Sequence, residues 1–169
     1  MGLSLLYIVC IILANIFAAL WQVPLPLGLM VPAGVFFFAP IFTLRDRIQV
    51  DRGVKWIYGL IAVSAIVSWL AGTLMGSSLL ARISIASVLA LLVSEGLDTL
   101  IFTVFKRSFV QRALLSNLVS SFADSLLFIW IAFGFQWNFI WGQWVIKILI
   151  AALMIPLVIP KRRMTELPA

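Results

Sequence analysis

A chain of 169 residues that is 64% hydrophobic and only 11% charged stands apart from soluble domains, in which about 45–50% of residues are apolar and about 25% charged; a water-soluble globular fold is excluded. The net charge of +6 and sequence pI near 10.3 would suit nucleic acid, but most Lys and Arg residues stand in short clusters between apolar runs. There they read as topology signals and contacts to lipid phosphates, so membrane lipid is the expected partner and nucleic acid is not.

A helix needs about 20 apolar residues to cross the roughly 30 Å hydrocarbon core, so this length supplies six or seven spans and no sizeable extramembrane domain. Apolar runs bounded by charges and Pro/Gly clusters predict helices over residues 2–22, 29–44, 56–75, 80–105, 113–135 and 141–159. The expected fold class is all-α: one polytopic six-helix transmembrane domain over residues 1–169. The first run lacks a basic leader and is too long for a signal h-region, despite the weak cleavage-like Ala18-Ala19 pair, so it is read as a mature helix. The second is the least regular, because Pro24, Pro26, Gly28, Pro32, Gly34 and Pro40 interrupt it. Broken backbone at membrane depth needs protein or a cavity to cover it, which marks this segment as a candidate lining of a site.

Cations fix the expected orientation. Arg45, Arg47, Arg52 and Lys55 fall between the second and third helices, Lys106, Arg107 and Arg112 between the fourth and fifth, and Lys161, Arg162 and Arg163 after the sixth. The positive-inside rule then puts these segments, and with six spans both termini, in the cytoplasm.

Ionisable groups within membrane helices are costly, at about 2.5–3.5 kcal/mol each on insertion scales, and are functional by default. Glu95 and Asp98 are three residues apart on one helix face and repel if both are ionised. Either one is protonated or a cation or donor-rich ligand lies between them, unless neighbouring Arg and Lys simply anchor them. Asp124 and Lys147 fall at depths where they can meet as an interhelical ion pair, which would account for both without a ligand. Asn117, Ser120, Ser121 and Ser125 offer groups that bond across helices. Arg82, near the outer interface, either snorkels or turns inward to a carboxylate, and Asp46 either pairs with Arg45 or Arg47 or belongs to the site.

Trp21, Trp56, Trp137, Trp141 and Trp144 suit an interfacial aromatic belt, and Phe36, Phe37 and Phe38 face lipid or stack on a planar ligand. Ala14 and Ala18 give the first helix a small-xxx-small spacing. With no histidine and a single cysteine, Cys10, neither an intrachain disulfide nor a Cys/His metal site is expected, and no cofactor is implied.

Taken in order, Asn15, the Phe36-rich segment ending at Asp46, Ala81-Arg82-Ile83, Asp98, Ser121-x-x-Asp124 and Lys147 resemble the queuosine-precursor transporters of the vitamin-uptake-transporter family over nearly the whole chain. The resemblance implies import of a 7-deazaguanine such as preQ0 or preQ1 across a bacterial inner membrane, with no enzymatic activity. It implies substrate contacts from Asp98 and Asp124, supported by Glu95, Asn117, Arg82, Lys147 and Asp46. A carboxylate can accept the ring N–H and exocyclic amine of a guanine-like edge together, while Asn117 or Arg82 answers the ring carbonyl. The chain departs from the family pattern in its compact loops and in Glu95, where an amide is usual.

Three other readings compete. A substrate-binding subunit of an energy-coupling-factor importer would share the six-helix plan and dock through the small residues of the first helix on a partner with ATPases, since this chain has no P-loop; a self-sufficient transporter would work alone or as a homodimer. An intramembrane aspartyl protease would use Asp98 and Asp124 as a proton-sharing dyad, although Gly96-Leu97-Asp98 and Phe122-Ala123-Asp124 lack the expected Gly-x-Gly-Asp pattern. A purely structural membrane subunit would use every charge to hold helices together.

Overall fold

The computed structural model describes residues 2–105 and 109–158. It contains six α-helices: α1 (Gly2–Leu20), α2 (Phe38–Arg52), α3 (Val54–Leu74), α4 (Ser78–Val104), α5 (Phe109–Phe133) and α6 (Trp137–Val158). Between α1 and α2 lie two short strands, β1 (Gln22–Pro24) and β2 (Met30–Pro32), and two 3-10 turns, Pro26–Gly28 and Ala33–Phe37. Among the described residues, four helical segments are long and apolar enough to cross a membrane: Gly2–Leu20, Lys55–Leu74, Ser78–Asp98 and Leu115–Phe133. The chain is a membrane protein. Of the other two helices, α6 has 22 residues and a single charge, Lys147, whereas α2 has 15 residues with several charges.

The prolines explain why the predicted second helix over 29–44 is not the one observed. Pro24, Pro26 and Pro32 cannot supply helical N–H groups, and the chain instead makes an antiparallel pair with Gln22 opposite Pro32 and Val23 opposite Val31. A pair with two free edges tolerates those prolines. Helix begins only at Phe38, where Pro40 falls in the first turn and its missing donor is not needed. It then runs uninterrupted to Arg52, so Arg45, Arg47 and Arg52 lie on α2 and not in the expected connection, which is reduced to Gly53. Lys106, Arg107, Lys161, Arg162 and Arg163 lie outside the described residues.

Two close approaches lock the hairpin region to the bundle. A Cβ on Gly142 of α6 would stand 2.1 Å from the Met30 carbonyl oxygen, and one on Gly34 would stand 2.2 Å from that of Ala14. Only glycine lets the backbones meet so closely. The Ala14/Ala18 stripe on α1 is thus filled from within the chain by Gly34, with Ala18 buried.

The broadest helix pairings are α4 with α5 and α3 with α4. Two apolar clusters result. One, at the α5–α6 end, is built on Ala18, Ile83, Ala86, Phe128, Ile129 and Ile140; the other joins Tyr7, Ile11, Ile48, Ile57 and Ile61. Ser120, Ser121 and Ser125 do not bond across helices as expected, and the buried Ser64 and Ser84 behave as they do. Ser64, Ser84 and Ser125 donate to the carbonyls of Leu60, Leu80 and Ser121, four residues back on their own helices, at 2.7–2.8 Å, and Ser120 and Ser121 donate three residues back. This is the usual way for a hydroxyl to satisfy itself inside a helix.

Candidate functional site

A cavity of about 120 Å³ opens between the two apolar clusters, sharing Tyr7 and Ile11 with one and Ala18 and Phe128 with the other. One water needs only about 10–15 Å³ by the same measure, so the space holds more than a single solvent molecule. Its walls come from α1, the segment around Gly34, and α2, α4, α5 and α6. Five ionisable side chains line it: Arg45, Glu95, Asp98, Asp124 and Lys147.

Four of them are paired. Lys147 Nζ donates to Asp124 Oδ2 in the buried interior between α5 and α6, and it also stands 5.4 Å from the centre of the Phe38 ring. Arg45 Nη1 donates to Glu95 Oε1 between α2 and α4. The sequence assigns Arg45 a topological role in a loop, but α2 carries it into the cavity, where a guanidinium neutralises the acid that would otherwise repel Asp98. Asp98 has no hydrogen bond or ion pair among the described residues, and the lining therefore holds one more acidic than basic side chain.

The depth of each group follows from the helical rise of about 1.5 Å per residue. Counted from the α4–α5 end, Asp98 lies about 9 Å in, Asn117 about 12 Å, Glu95 about 13 Å and Asp124 about 22 Å. Asp98, Asn117 and the Arg45–Glu95 pair thus form one polar tier. The Asp124–Lys147 pair forms another, about 13 Å from Asp98 along the bundle axis. A proton-sharing dyad requires carboxylates in contact, and Asp98 and Asp124 do not meet.

Asn15, 3% exposed, holds the cavity wall together: its Nδ2 donates to Ser68 Oγ at 3.2 Å and its Oδ1 accepts from Ser87 Oγ at 2.6 Å. One amide so ties α1, α3 and α4. Both its ends are in use.

Of the residues expected in the site, Asp98, Asp124, Glu95, Asn117 and Lys147 come together around this cavity. Arg82 does not; it is exposed on α4 and donates Nη2 to the Ile131 carbonyl at 3.1 Å. Its long side chain reaches along α5 to an unsatisfied surface acceptor instead of turning inward. Asp46 is on α2, but its side chain lies outside those described. The three phenylalanines divide: Phe36 is exposed, Phe37 packs on Phe17 with ring centres 5.2 Å apart, and Phe38 lines the cavity. Trp137, Trp141 and Trp144 cluster with Phe122 on the α6 surface.

Polar lining residues that were not anticipated from the sequence as parts of the site include Arg45 and Gln143, with Tyr7, Ser87 and Ser94. For Gln143 a signal existed. It stands four residues before Lys147, which places both on one helical face.

No curated protein and no solved structure matches the chain. A family model does, over residues 32–160, with the description "putative vitamin uptake transporter". The match takes in Arg45, Glu95, Asp98, Asp124 and Lys147 and leaves out α1, including Tyr7 and Asn15. A small-molecule cavity with paired charges inside an apolar bundle is what a membrane carrier requires, and the chain belongs to the vitamin uptake transporter family.

Proposed function

We propose that the protein is a multi-pass importer of a queuosine precursor, a 7-deazaguanine such as preQ0 or preQ1, in a bacterial inner membrane. The observation that carries this reading is the unpaired carboxylate of Asp98 in a cavity whose other four charges cancel. An uncompensated acceptor in a low-dielectric interior favours a ligand that brings donors with it. A 7-deazaguanine offers a ring N–H beside an exocyclic amine, which a carboxylate can accept as a fork. Asn117, at nearly the same depth on α5, supplies an amide N–H for the adjacent ring carbonyl.

In this reading Asp98 and Asn117 are the contacts, the Arg45–Glu95 pair keeps Asp98 the single free acid of its tier, and Lys147–Asp124 holds α5 to α6. Movement of substrate past two polar tiers requires rearrangement of the helices around them, as alternating access does generally. The reading as a substrate-binding subunit of an energy-coupling-factor importer loses its sequence argument, since the small residues of α1 are occupied by Gly34.

The test is uptake of labelled preQ0 and preQ1 by cells that can neither make nor import them, expressing this chain alone. Uptake by the wild type, lowered at least about tenfold by Asp98→Asn at unchanged membrane abundance, is the expected result; a lost charged hydrogen bond of about 1.5–3 kcal/mol corresponds to that or more. An expressed wild-type chain that takes up neither compound overturns the reading.

A further inference from the structure

Gln143 is 5% exposed on α6 and lines the cavity, yet among the described residues its Oε1 has no hydrogen-bond partner. An amide oxygen withdrawn from water without a donor costs about 1–3 kcal/mol, and such groups are rare enough in native interiors to demand a reason.

Among the described residues no donor bonds it. The Asn15 amide is turned to Ser68 and Ser87, the Lys147 ammonium to Asp124, and the hydroxyls of Ser121 and Ser125 to carbonyls of their own helix. The backbone contact of Gly142 with Met30 fixes α6 against the hairpin, so the amide is held at the cavity by structure on either side.

Gln143 lies about 9 Å from the α5–α6 end of the bundle, while Asp98 lies about 9 Å from the α4–α5 end, leaving roughly 18 Å between them along the 25-residue α5. No bicyclic base touches both. The groups nearest each differ as well: at the Gln143 level Asp124 is paired with Lys147, whereas the Asp98 tier holds two acids and one cation.

We propose that Gln143 is the ligand contact of a second station in this cavity, where its amide oxygen accepts an N–H from a neutral N–H-bearing heterocycle on its way to or from Asp98. The inference rests on the 7-deazaguanine reading and deepens it. An electrically balanced station holds a neutral base by a single hydrogen bond and releases it readily, which a stepwise path needs, since binding must be weak enough to leave.

The experiment uses the full chain in proteoliposomes with labelled preQ0 as probe, comparing Gln143→Leu, Gln143→Met and Gln143→Glu with wild type for uptake KM, maximal rate and unfolding temperature. Leu and Met are expected to raise KM about tenfold while the unfolding temperature stays level or rises, because an unsatisfied acceptor is removed. Glu, which keeps an acceptor of the same reach, is expected to recover most of that loss. Unchanged KM in Leu and Met overturns the inference, as does a KM rise matched by a fall in unfolding temperature, or a Glu variant no better than Leu. Absence of preQ0 uptake by the wild type is a distinct result; it overturns the substrate reading and this inference together.

Discussion

Lys147 and Asp124 pair with each other in the buried interior, so the consequences of substitution depend on whether one or both are changed. Lys147→Met leaves a buried carboxylate without its cation, and breaking such a pair from one side costs about 3–5 kcal/mol. We expect Lys147→Met to lower membrane abundance and unfolding temperature sharply, and the double variant Lys147→Met/Asp124→Leu to recover most of both, as read by size-exclusion fluorescence and thermal unfolding. A double variant as unstable as the single one would mean that the pair contributes more than mutual neutralisation. Asp98 differs in kind. Among the described residues it has no partner to strand, so its loss is expected to appear in uptake and not in stability.

At the scale of elements, the segment between α1 and α2 replaces a regular helix with a strand pair, a 3-10 turn and a short helix. Its prolines made the irregularity legible in advance, since each removes a donor that a helix needs. The pairing of Val23 with Val31 was not legible, because three-residue strands carry too little alternation to distinguish from loop. Nor was the extension of α2 through Arg45 to Arg52: clustered cations mark a membrane boundary on average, but here one of them has an acid to meet on α4. The hairpin is seated through Gly142, and an added methyl there must displace the Met30 backbone. Gly142→Ala is expected to cost about 1–3 kcal/mol by overpacking and to impair uptake, whereas Gly96→Ala, with nothing within 4 Å of its Cβ position, is expected to leave the unfolding temperature unchanged or raise it. Thermal unfolding of the two purified variants side by side checks this.

For the whole molecule, four segments meet the requirements of a membrane span on their own, and α6, at about 33 Å, has the length for another. The 15-residue α2 reaches only about 22 Å. We therefore expect the second crossing to be composite, made by β2, the 3-10 turn and α2 together, with irregular backbone tolerated because it faces the cavity. With that crossing counted, we expect both termini on one side, the cytoplasmic one by the positive-inside rule. Reporter fusions active only in the cytoplasm or only outside it, placed at each end of the chain, check this: the two ends should agree, and opposite readings would remove one crossing.

Composition and the spacing of apolar runs determined that this chain is a helical membrane protein, because the length and polarity of a spanning helix are set by the bilayer and not by neighbouring segments. They also singled out Glu95, Asp98, Asp124 and Lys147, since a charge within an apolar run is visible without any fold. Which charges cancel was decided by tertiary structure alone. Pairing depends on which helices are adjacent and how each is rotated, and residues as distant in sequence as Arg45 and Glu95 meet only when α2 and α4 pack together. The same rotation spends the Asn15 amide on two serines and, among the described residues, leaves the Gln143 oxygen and the Asp98 carboxyl without a partner. A linear sequence specifies which polar groups are available; three-dimensional packing decides which of them remain for a ligand.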